Sequence, residues 1–158
     1  MVDNYLVLKM IHILSAVVVT GTGAGIAFFM FMANRSNNIH AIAVTARHVV
    51  LADWLFTAPA VLVQFVSGVL LMDILGYSFA SKWFFTVVAL FVFIGACWIP
   101  VVFIQYKLKR LADISIVSGA IDPKFRKLMV YWTTLGVPAF ISVLIIFWLM
   151  VFKPLPIV

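Results

Sequence analysis

The stretch Trp83–Val102, WFFTVVALFVFIGACWIPVV, runs for 20 residues without a charge. As a helix it reaches about 30 Å, the thickness of a bilayer's hydrocarbon core. Its apolar residues are continuous rather than alternating, which predicts a membrane-crossing helix and not a barrel strand.

Working outward, the uncharged character extends over about residues 82–106. Three further stretches of the same kind cover about 5–33, 49–75 and 128–152, and the second can begin as early as Ala41. The spacers carry turn chemistry: Asn34-Arg35-Ser36-Asn37-Asn38, then Gly76-Tyr77-Ser78, then Ser118-Gly119 followed by Asp122-Pro123. Asp122 is placed to cap a helix that has Pro123 at its first position, and the Ser118–Asp122 connection reads as the longest of the three. Lys153-Pro154 stops the last helix. The fold expected is all-α: one domain over residues 1–158, a four-helix transmembrane bundle.

Composition agrees. Of 158 residues, 66% are hydrophobic and 10% charged, and the mean hydropathy is +1.22. A soluble domain is about half apolar and about a quarter charged, and a small one cannot hide this much apolar surface. A soluble enzyme, a disordered chain and a disulfide scaffold are excluded as readings. Cys97, the single cysteine, reads as a small apolar filler.

The net charge of +6 does not indicate nucleic acid. Eight of the cations (Arg35, Arg47, Lys107, Lys109, Arg110, Lys124, Arg126 and Lys127) fall in the first and third spacers. Lys9, Lys82 and Lys153 fall at the other end. The positive-inside rule puts the basic spacers in the cytoplasm and both termini outside, with anionic lipid headgroups as the partners of the basic residues.

Polar groups inside the spans are the candidates for chemistry, because each is costly there without a partner. Tyr5, Lys9, His12, Ala16, Thr20 and Gly23 share one stripe of the first helix, predicted to face the other helices. His12 reads either as an axial haem ligand or as a buried imidazole bonded to a neighbouring helix. Gly21, Gly23 and Gly25 form a smooth patch suited to helix packing or to a flat macrocycle. On the second helix Asp53, Thr57, Ala60, Gln64, Ser67 and Gly68 share a face. Asp53 reads as a proton relay or as the partner of a cation such as Arg126, the pair being favoured. Gln64 reads as a contact to a cofactor propionate or as an interhelical bridge.

His12 and His48 lie near opposite ends of oppositely running helices, about 20 Å apart in depth, so they do not share one metal ion. Met150 lies at the depth of His12 and is the second axial ligand that the sequence offers, since His/Met pairs hold haem iron. A methionine there also serves as core filling. Pro59, Pro100 and Pro138 are placed to bend their helices. Trp54, Trp83, Trp132 and Trp148 read as interfacial belts.

Leu8-Lys9-Met10-Ile11-His12-Ile13-Leu14-Ser15 resembles the LK-x-x-HI-x-S opening of small bacterial four-helix membrane proteins, and Met150–Pro154 resembles their apolar-x-x-Lys-Pro close. The likeness extends through Ser67-Gly68, Lys82-Trp83 and Asp122–Arg126, and is to an uncharacterised family of predicted integral membrane proteins. More distantly the chain resembles HemJ-type protoporphyrinogen oxidases and the membrane domains of copper-resistance proteins. That resemblance implies a haem b site with His12 as ligand. It does not carry over the oxidase activity, because Val17–Thr20, Phe84–Val87 and Thr133–Pro138 lack the tryptophan and charged residues of the HemJ pattern.

The expectation is therefore a haem b protein of the bacterial inner membrane with an electron-transfer or oxidoreductase role. His12, Met150 and Gln64 would be at the cofactor, and quinone or a redox protein would be the partner. A homo-oligomer is a further expected partner state, and a non-catalytic assembly subunit and a small-ion or metal transporter are the alternatives.

Overall fold

A computed structural model describes residues 4–156. Its regular elements among these residues are all helical, without strands: α1 (Asn4–Ser36), α2 (Ile39–Ala52), a π-helical turn (Asp53–Thr57), α3 (Ala58–Ile74), α4 (Lys82–Ser118) and α5 (Pro123–Phe152). The segment from Ile39 to Ile74 is one continuous rod, so four helices are long and apolar enough to cross a membrane. The helices outrun the apolar stretches: α4 continues twelve residues past Tyr106, and α5 begins five residues before Leu128.

The ends follow local chemistry. Asn37 takes a left-handed backbone (φ 55°) after α1, and the Asn38 side chain accepts the Ala41 N–H at 3.1 Å to start α2. Gly119 (φ 73°) closes α4, a conformation glycine adopts without strain. Asp122 accepts the Lys124 N–H at 2.7 Å, with Pro123 at the first helical position as expected. The longest connection is residues 75–81 between α3 and α4, not the Ser118–Asp122 spacer, because Gly119 and Asp122 finish and restart helices within a few residues.

The two halves of the central rod differ in their neighbours: α2 packs chiefly on α4 and also on α1, whereas α3 packs on α1. α4 and α5 form the other close pair, and α5 touches α1 less. The handover coincides with the π turn. Pro59 follows it directly, has no N–H to give, and crowds the carbonyl four residues back. Widening the preceding turn accommodates both effects. Pro100 and Pro138, by contrast, lie inside unbroken α4 and α5.

The apolar core lies toward the basic end, around Met30, Ile42, Leu108, Phe125 and Met129. Ala33, Ala43, Ala46 and Ala112 are buried in it, and their small side chains let helix backbones approach closely. Cys97 is buried, as a filler would be. At the opposite end Trp83 is buried and its indole Nε1–H donates to the Leu149 carbonyl at 2.9 Å, joining α4 to α5. Trp83 and Trp132 are therefore packing residues rather than belt residues. Trp54 and Trp148 are about half exposed, as a belt requires.

Candidate functional site

α1 and α3 meet over a short polar seam near the terminal end of the bundle. His12 and Ser15 are three residues apart on α1; Gln64, Ser67 and Gly68 occupy one face of α3 at spacings of three and four. These spacings aim all five inward at one level.

Ser15 Oγ has two acceptors for its one hydroxyl proton, Gln64 Oε1 at 2.5 Å and the His12 carbonyl at 2.9 Å, and the Gln64 amide nitrogen stands 2.9 Å from His12 Nε2. Ser67 spends its hydroxyl proton on the Val63 carbonyl at 2.6 Å. His12 Nδ1–H therefore donates to Ser67 Oγ at 2.8 Å. The imidazole is thus the neutral Nδ1–H tautomer, with its Nε2 lone pair turned to the Gln64 amide. Gly68 lets the ring lie flat on α3, since a Cβ at that position would come within 3.3 Å of His12 Cε1.

For an axial haem ligand the fit is direct at one nitrogen. A ligating imidazole donates its other N–H to a fixed acceptor, as His12 does to Ser67. At Nε2 the Gln64 amide holds the position that iron needs, on a long side chain able to rotate away. Met150 is half-buried on α5, and the hydrogen bonds of the His12 ring go to Gln64 and Ser67. Gly21, Gly23 and Gly25 would meet nothing within 4 Å if given a Cβ, so they border open space and not a helix contact. The patch begins about 14 Å along α1 from His12 and does not surround it.

Asp53 lies in the π turn, buried, with the side chains of Thr57, Trp98 and Gln105 around its carboxyl. The favoured pairing with Arg126 does not form: Arg126 donates to Asn37 Oδ1 at 2.9 Å. The ion pair among the described residues is Arg47–Asp113, at 2.7 Å and partly exposed. Sequence reasoning missed Trp98 and Gln105 as polar partners. Their seven-residue spacing puts them on one face of α4, which was the available signal. His12 and His48 remain apart, and the described residues hold no group of three metal-ligating side chains.

Among known proteins, residues 6–154 match the family described as a predicted integral membrane protein (DUF2269). No curated protein matches, and no solved structure matches. The more distant likeness to HemJ-type oxidases and copper-resistance domains is not shown by these matches. The chain belongs to the DUF2269 family of integral membrane proteins.

Proposed function

We propose that this DUF2269 family member is a haem b-binding redox protein of the bacterial inner membrane, with both termini outside and His12 as its axial ligand. The observation that supports this reading is the His12–Ser67 hydrogen bond at 2.8 Å, which fixes the tautomer whose Nε2 lone pair is free of a proton. Bound haem b would supply a one-electron couple, with quinone or a redox protein as the exchange partner.

The chain's own residues do the remaining work. Ser67 holds the imidazole in one orientation, and Gly68 keeps that side free of a side chain. Gln64, now hydrogen-bonded to Nε2, would have to release it, and its amide would then be a donor for an acidic group of the cofactor. Met150, half-buried on α5, remains the second-ligand candidate.

One specific observation favours a second reading. Both ring nitrogens are already hydrogen-bonded within the chain, so His12 also fits a non-catalytic assembly subunit in which the seam only joins α1 to α3. Optical spectra of protein purified after growth with a haem precursor separate the two. A Soret band that is lost in His12→Ala supports the redox protein. Its absence from the native protein overturns that reading, and a fall in melting temperature in His12→Ala then belongs to the assembly subunit.

A further inference from the structure

We propose that the groove between α4 and α5 at the basic end is a binding site for the phosphate headgroup of an anionic phospholipid. Lys107 and Arg110 line it from α4, and Lys124 and Lys127 from α5, together with the half-buried Leu111 and Leu128. Its volume is about 600 Å³, within the range of small-ligand sites.

The sequence builds this groove from two stripes. Phe103, Lys107 and Arg110 recur at helical spacing on α4, as do Lys124, Lys127 and Tyr131 on α5. Each stripe passes from basic to aromatic toward the apolar span, where Phe103 is 63% and Tyr131 52% exposed. That order matches a lipid, whose charge lies outermost and whose chains point inward.

The four cations are unspent. Elsewhere at the same end Arg47 is paired with Asp113, and Arg126 donates to Asn37. Among the described residues the side chains of Lys107, Arg110, Lys124 and Lys127 have no ion-pair or hydrogen-bond partner. The carboxylate on the groove is that of Asp122, and it already accepts the Lys124 backbone N–H at 2.7 Å. Like charges three residues apart repel along each helix, so the groove gains by taking up an anion. A zwitterionic headgroup would bring its ammonium against four cations and one occupied carboxylate, so the lipid that fits is net negative.

Depth selects a lipid over a soluble phosphate. Trp54 in the π turn donates to the Tyr106 hydroxyl at 2.6 Å, and this exposed aromatic pair marks the interface at the basic end. Arg110 is four residues beyond Tyr106, about 6 Å along α4. Lys127 is four residues before Tyr131, about 6 Å in the same direction along α5. The headgroup layer is about 5–8 Å deep on each side of a bilayer, so Arg110 and Lys127 lie at the level of the phosphates. Lys107 is nearer the apolar core and Lys124 nearer water, and their long stems reach that level from either side. His12 takes no part, so the site stands with or without haem.

Native mass spectrometry of the full chain in detergent, titrated with phosphatidylglycerol or phosphatidylcholine, tests the site. One phosphatidylglycerol should stay bound under conditions that strip phosphatidylcholine. Arg110→Gln with Lys127→Gln should weaken that binding roughly 10- to 30-fold. Arg35→Gln with Lys109→Gln removes the same charge outside the groove and should leave it nearly unchanged. Both variants should melt with the native protein in lipid-free detergent, since none of the four side chains has a partner to lose. Equal retention of the two lipids, equal loss in the two variants, or a groove variant that melts lower without lipid would each overturn the proposal. Displacement of the lipid by inorganic phosphate would overturn it in favour of a soluble ligand, and displacement by poly-glutamate in favour of an acidic protein partner.

Discussion

The Gln64 amide reaches from α3 to the Nε2 atom of His12 at 2.9 Å, so the atom best suited to hold iron already accepts a hydrogen bond. Cofactor binding and internal packing compete for one lone pair. Gln64→Leu removes the competitor. In a haem protein, titration with hemin should then give tighter uptake than in the native chain. In an assembly subunit the same variant takes up no haem and loses stability.

Ser67→Ala leaves the His12 Nδ1–H without its acceptor. Interhelical polar contacts in membranes are worth about 0.6 kcal/mol on average, and a stranded buried donor costs about 1–3 kcal/mol. A loss of about 1–2 kcal/mol in detergent unfolding is expected. Ser67→Thr, which keeps the hydroxyl, should recover part of it.

The tryptophans should divide by lipid exposure. In single-tryptophan variants reconstituted with brominated lipids, Trp54 and Trp148 should be quenched strongly and Trp83 weakly, because Trp83 is 4% exposed and bonded to Leu149. Strong quenching of Trp83 would contradict its packing between α4 and α5.

Two polar groups near the basic end should respond differently to removal. Asp122 caps α5, and Asp122→Ala should cost about 1 kcal/mol. The Arg47–Asp113 pair has side chains 51% and 36% exposed, so Arg47→Met should change stability by less than about 0.5 kcal/mol. Chemical denaturation of the two variants side by side measures both values.

The four spans were legible because hydrophobicity in a bilayer is a property of whole segments, and the spacers carried Asn, Gly, Asp and Pro where helices stop. The Asp122–Pro123 start was readable at single-residue level because capping is local. His12, Gln64 and Ser67 were each visible as intramembrane polar groups. Their mutual contact was not, since it depends on how α3 is rotated against α1. Asp53 was misassigned to Arg126 for the same reason. Charge alone suggested the pair, but the π turn points the carboxyl toward α4, where the neutral Trp98 and Gln105 lie. Trp83 looked like a belt residue by depth, and only its bond to Leu149 reveals a packing role.

The π turn at Asp53–Thr57 behaves as slack within one rod. It holds one residue more than an α winding of the same sweep would. Deleting one residue there, for example Leu55, would return the rod to regular α winding and leave α3 close to its present rotation, so Gln64, Ser67 and Gly68 would still meet His12. What the deletion would remove is the wide winding that carries Asp53 and Thr57. The seam is thus buffered against a change of length at a point where the Asp53 cluster is not.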